Sequence, residues 1–81
     1  MPKITKRRIL SLLKDEEIYL LDNLEVIMNK LGLSEEFDKA WTYHKDELTD
    51  TINVECSIGY IRLYVVGIYE YKFIGLVENV K

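Results

Sequence analysis

Apolar residues at Leu10, Leu13, Leu20, Leu24, Ile27 and Leu31 recur at steps of three, four and seven, the spacing that keeps side chains on one face of an α-helix. Ile9, Leu21 and Met28 widen that stripe, and Glu17 is its one polar break. The register survives the break. The pattern therefore favours one long helix from about Thr5 to Leu31, roughly 40 Å long for a helical rise of about 1.5 Å per residue. The competing reading breaks it at Lys14-Asp15-Glu16-Glu17 and lets Asp15 cap a second helix.

The end of this helical region is marked by Asn29-Lys30-Leu31-Gly32-Leu33. Lys30 suits a last turn, Gly32 suits a left-handed residue, and Leu33 can fold back on the helix. Ser34 is predicted to cap a second helix, with Glu35 and Glu36 in its first turn, where the helix dipole favours acids. Phe37, Ala40, Trp41, His44 and Leu48 then follow helical spacing, which carries this helix to about Leu48.

The period changes at Thr51. Ile52, Val54, Cys56 and Ile58 alternate with Asn53, Glu55 and Ser57, the signature of a half-buried strand. Gly59 permits a tight turn, Tyr60 to Ile68 reads as a second strand and Lys72 to Val80 as a third. Tyr69-Glu70-Tyr71 has poor turn chemistry, which leaves room for a bent or bulged ribbon. Short connections imply antiparallel pairing. The expected architecture is a single α+β domain over residues 1–81. A long or broken N-terminal helix and a shorter second helix pack on a three-stranded antiparallel sheet, in the order α-α-β-β-β.

The second strand is apolar on both sides. Ile61, Leu63 and Val65 form one side; Tyr60, Tyr64, Val66 and Ile68 form the other, with only Arg62 polar between them. A sheet with one wet face should alternate apolar and polar, as the first strand does. Two helices can cover one face of such a sheet, so Tyr60, Tyr64, Val66 and Ile68 are expected to form an oligomer interface, a twofold homodimer being the commonest assembly.

Composition narrows the function class. The chain has 81 residues, 48% apolar and 31% charged, with one proline, which suits a folded domain rather than a disordered one. No apolar run approaches the ~18 residues of a membrane span. The basic start lacks the apolar stretch of a signal peptide, and Cys56 is the only cysteine, so a cytoplasmic protein without disulfides is expected.

The net charge of −3 hides an asymmetry. Residues 1–14 carry Lys3, Lys6, Arg7, Arg8 and Lys14 and no acid, whereas residues 15–81 carry six bases and fourteen acids, a net of −8. Two surfaces of opposite sign follow. The basic one is a candidate for nucleic acid, although bases near a helix N-terminus oppose its dipole unless something offsets them.

Little in the sequence carries chemistry. His44, the one histidine, has no nucleophile in a motif with it, and Cys56 reads as a small residue on the inward side of a strand. One histidine and one cysteine cannot make an ordinary structural zinc site, and Asp46, Glu47 and Asp50 lack the ligand alternation of a calcium loop. The four glycines are too scattered to cradle a phosphate.

The segment Leu31-Gly32-Leu33-Ser34-Glu35-Glu36 resembles the turn of a helix-turn-helix. Met28 stands where that motif has a small residue and Asp38 where it has a buried aliphatic one. The would-be reading helix also carries acids that repel phosphate.

These observations point to a small non-enzymatic protein-binding regulator, an inhibitor or adaptor acting by occlusion of a partner's surface, with no cofactor and no small-molecule substrate. The acids Glu35, Glu36, Asp38, Asp46, Glu47 and Asp50 are the expected contacts to a basic protein partner. The alternative is a nucleic-acid-associated protein using Lys3, Lys6, Arg7, Arg8 and Lys14.

Overall fold

A computed structural model describes residues 5–78. The elements are α1 (Lys6–Leu12), β1 (Ile18–Leu20), α2 (Leu21–Lys30), α3 (Ser34–Glu47), β2 (Thr51–Cys56), β3 (Gly59–Gly67) and β4 (Glu70–Glu78). The strands form one antiparallel sheet in the order β1-β4-β3-β2. The α+β class and the antiparallel sheet agree with the expectation; a fourth strand and a third helix correct it.

Both corrections arise in residues 13–20. α1 stops at Leu12, Leu13 is extended, and Glu16 adopts φ 67°, which no helix allows. The next residues are captured by β4: the Glu16 N–H donates to the Phe73 carbonyl, and the Phe73 N–H donates to the Glu17 carbonyl. Ile18, Tyr19 and Leu20 pair with Lys72, Tyr71 and Glu70. A β-branched residue and an aromatic one suit such a strand. Tyr19 turns inward, and its hydroxyl oxygen accepts the Lys14 N–H at 2.8 Å.

The helical spacing across this gap was a coincidence of register, overridden by pairing. Neither the continuous helix nor a second helix capped by Asp15 forms, since α2 begins at Leu21. Leu10, expected in the stripe, is exposed, whereas Ile9 and Leu13 are fully buried.

The end of α2 follows the expectation. Gly32 has φ 72°, the Leu33 N–H reaches the Met28 carbonyl at 2.8 Å, and the Gly32 N–H reaches the Asn29 carbonyl at 3.1 Å. This is the double bond pattern that closes a helix on a left-handed residue, with Leu33 buried against the core. Ser34 is itself the first helical residue of α3; Leu33 holds the cap position, without a side-chain cap bond. At the other end α3 stops at Glu47. Leu48 takes the left-handed conformation (φ 54°) and is 84% exposed, so it does not join the inward stripe.

β2 and β3 are joined by the two-residue turn Ser57-Ile58. Gly59 opens β3 at φ 148° and is packed so closely that a Cβ there would overlap the Val77 carbonyl. β3 and β4 are joined by Ile68-Tyr69, with Tyr69 at φ 59°, and their ladder is bulged between Arg62 and Leu63 and between Val65 and Gly67. The poor turn chemistry is thus met by a strained residue and two bulges. β4 begins at Glu70, two residues earlier than expected, and the expected strand end at Val80 lies outside the described residues.

All three helices lie on one face of the sheet. Ile9, Leu13, Leu24, Met28 and Phe37 pack there against Ile52, Val54, Ile61, Leu63, Tyr71 and Phe73 in a single core. The residues of opposite parity, Asn53, Glu55, Tyr60, Arg62 and Tyr64, are exposed. Burying one face while leaving the other wet is what two layers of this size allow.

Candidate interaction surface

The inner side of α3 holds the side chains whose chemistry stood out in the sequence. The Trp41 Nε1–H donates to the Tyr71 hydroxyl oxygen at 2.9 Å. The Thr49 hydroxyl donates to the Thr51 carbonyl at 2.8 Å, so at the 3.3 Å contact between Thr49 Oγ1 and His44 Nδ1 the ring nitrogen is the donor. His44 also meets Tyr71 edge to face, with centroids 6.3 Å apart. These contacts fasten the helix to the sheet. Cys56 is half-buried against the core, and among the described residues no cluster of histidine, cysteine and acid side chains has metal-site geometry.

Two bases of the N-terminal segment are used within the molecule. Arg8 Nη2 donates to the Lys30 carbonyl at 2.7 Å, satisfying the end of α2, and Lys6 pairs with Glu78 at 3.1 Å. The Thr5 hydroxyl accepts the Arg8 N–H and caps α1. Arg7 and Lys14 are exposed, and Lys3 lies outside the described residues. Of the described bases, Arg8 and Lys6 are thus engaged with this chain's own carbonyl and carboxylate.

The acids of α3 are arranged differently. Glu35, Asp38 and Asp46 line one outer surface together with Lys39, Thr42 and Tyr43. Steps of three and four place these positions on one side of the helix. Tyr43 stands in their midst, 63% exposed, an aromatic ring held in water on a rigid helix. The ion pairs of the described residues are Lys6–Glu78 and Lys72–Glu16, so none of these acids is in one. Lys45, one of the two bases in residues 35–50, is drawn away: its Nζ lies 5.5 Å from the Trp41 ring centroid and 5.8 Å from that of Tyr69.

The other three expected acids diverge. Glu36 is half-buried on the flank of α3 that faces β2, and Glu47 and Asp50 are exposed beyond the outer stripe, at the end of α3 and the start of β2. Glu36 lines a groove of about 450 Å³ between α3 and β2, with Lys39, Ala40, Tyr43, Thr49, Thr51, Asn53 and Glu55. Lys39 and Tyr43 border both surfaces. The sequence reading missed Tyr43 as the centre of this region and Glu55 as part of it. The available signal was that Tyr43 interrupts the apolar spacing of Phe37, Ala40, Trp41 and His44, so it must point outward.

The open sheet face carries Tyr60, Tyr64 and Val66, all exposed as expected, and adds Ile18 and Val77, which pair with Lys72 and Tyr60. Ile68 is not on it. It sits in the β3–β4 turn, 85% exposed at one end of the molecule, because the strand ends at Gly67. Arg62 is on the same face, its Nε–H donating to Asn53 Oδ1 at 3.0 Å.

No family model, curated protein or solved structure matches the chain. Among the described residues no helix is long and apolar enough to cross a membrane.

Proposed function

We propose that this chain is a cytoplasmic, non-enzymatic protein-binding regulator that occludes a basic surface of a partner protein through the outer face of α3. The observation that carries the reading is the placement of Glu35, Asp38 and Asp46 around an exposed Tyr43, with none of these acids in an ion pair among the described residues. An aromatic ring on a rigid helix supplies contact area at low entropic cost, and acids around it steer encounter with a basic partner. The acidic outer face also repels phosphate, so the helix pair α2–α3 is ill suited to read a nucleic-acid groove. The decisive test is capture of a partner from cell lysate by the immobilised chain, with and without nuclease. The reading expects a protein retained after nuclease treatment and released as salt rises, since exposed charges are screened over about 8 Å at physiological ionic strength. Captured material that disappears with nuclease would favour the nucleic-acid alternative.

The open sheet face is the surface assigned to self-association. Exposed Tyr60, Tyr64, Ile18 and Val77 lie together on the side of the sheet that none of the described helices covers. Light scattering on the eluting protein is expected to give twice 9.6 kDa, and a value of 9.6 kDa would remove this assignment.

A further inference from the structure

We propose that the free edge of β2, together with the groove between β2 and α3, accepts an extended basic peptide segment of a partner protein as a fifth strand. This goes beyond the reading above, because it uses main-chain groups and the inner flank of α3 rather than the outer stripe.

The direction of the main-chain groups follows from pairing. The Val65 N–H donates to the Asp50 carbonyl at 2.9 Å, which makes that pair a hydrogen-bonded one. Bonded and non-bonded pairs alternate along an antiparallel ladder. Ile52, Val54 and Cys56 therefore bond to β3, and Thr51, Asn53 and Glu55 direct their N–H and C=O groups away from the sheet. The Thr51 carbonyl confirms the parity, since it accepts the Thr49 hydroxyl at 2.8 Å instead of a β3 amide. The N–H groups of Thr51, Asn53 and Glu55 and the carbonyls of Asn53 and Glu55 remain directed outward, towards the groove that the same three residues line.

The two edges of the sheet differ. β1 is three residues long and runs straight into α2, too short to template another strand. β2 is six residues long, without proline, and both bulges lie in the β3–β4 ladder, so nothing twists this edge away. The groove beside it, about 450 Å³ in volume, is walled on the helix side by Ala40 and Tyr43.

Charge selects the occupant. On the helix side of the groove Glu36 stands with Lys39, whereas the strand carries Glu55, pointing to the open sheet face, and Asp50 just before β2. Residues 50–56 contain two acids and no base. A second copy of β2 would bring two more acids, and a second acidic α3, to the same edge. A strand carrying lysine or arginine on the side of the open sheet face meets Glu55 instead, while its alternate apolar side chains meet Ala40 and Tyr43 of α3.

The test is titration of the isotope-labelled full chain with an end-blocked octapeptide of alternating lysine and valine, followed by amide resonances. Shifts are expected to concentrate at Thr51, Asn53 and Glu55. Asn53→Pro removes an N–H that points to solvent, a position where an edge strand tolerates proline, and is expected to weaken binding about tenfold. Asn53→Ala keeps the N–H and is expected to bind within about twofold of the parent chain. Should Asn53→Pro lose its fold, N-methylation of the peptide on alternate residues replaces it: one of the two methylation patterns abolishes binding and the other leaves it. Glu55→Lys is expected to weaken the peptide about fivefold or more, while Glu35→Lys, Asp38→Lys and Asp46→Lys together leave it within about twofold. That last pair separates failure of this inference from failure of the outer-face reading. No binding at millimolar peptide, equal binding by Asn53→Pro, shifts centred on Tyr60 and Tyr64, or a dimer that Asn53→Pro dissolves would each overturn it.

Discussion

α1 and α3 are both strongly charged, and they use their charge in opposite ways. Arg8 of α1 turns back onto the end of α2, and Lys6 reaches the end of β4. The acids on the outer face of α3 take part in none of the ion pairs of the described residues, and the nearby Lys45 is committed to two aromatic rings. In the sequence the two segments look equivalent: a basic run and an acidic run, each a candidate surface. What separates them is where the counter-groups lie in the fold, and that information is long-range. Charge already met within the chain is structural; charge left unmet on a rigid element is available to another molecule.

The largest expected effect tests whether α3 is structural on its inner side. Trp41 packs against the core and donates to Tyr71. Trp41→Ala is expected to cost about 3 kcal/mol, read as a marked fall in melting temperature. A variant that melts like the parent would make Trp41 a surface residue and dissolve the inner-versus-outer division of this helix.

Arg8→Ala comes next. Removing a charged donor from the Lys30 carbonyl is expected to cost about 1–2 kcal/mol in chemical denaturation. Lysine at this position would restore little, because its single ammonium cannot reproduce the planar guanidinium contact. An unchanged midpoint would mean that Arg8 is free for a partner and that the comparison with α3 fails.

Leu48→Gly should act in the other direction. Relief of a left-handed non-glycine at the end of α3 is expected to add about 0.5–1 kcal/mol, since the exposed leucine side chain contributes little burial. The same midpoint measurement decides it. Lys6→Ala is expected to change stability by less than about 0.5 kcal/mol, because both partners of its ion pair are largely exposed.

Local signals were read correctly where local chemistry decides the structure. Gly32 and Leu33 close α2 as anticipated, and the alternation of Ile52, Val54 and Cys56 gives β2. Residues 13–20 differ from the expected helix because what makes β1 a strand sits more than fifty residues away, in Lys72 and Tyr71, while the local spacing is compatible with a helix. The acidic region of α3 was visible as composition. Its division into an outer stripe of Glu35, Asp38 and Asp46 and an inner flank bearing Glu36 was not, because the helix had to be docked on β2 before its two sides could be told apart. Nor did the sequence show that β2 lies at the edge of the sheet, since strand order depends on β1 returning to β4.

The most direct test of the central claim compares two charge-reversed chains for partner capture and for melting. The first carries Glu35→Lys, Asp38→Lys and Asp46→Lys; the second carries Arg7→Glu and Lys14→Glu, leaving the structural Arg8 in place. The first is expected to lose capture of a protein partner from nuclease-treated lysate. Its stability should fall by only about 1 kcal/mol, chiefly from a lysine placed in the first turn of α3. The second is expected to capture the partner as the parent does. Capture retained by the first chain and lost by the second would contradict the account and assign function to the basic end of the molecule.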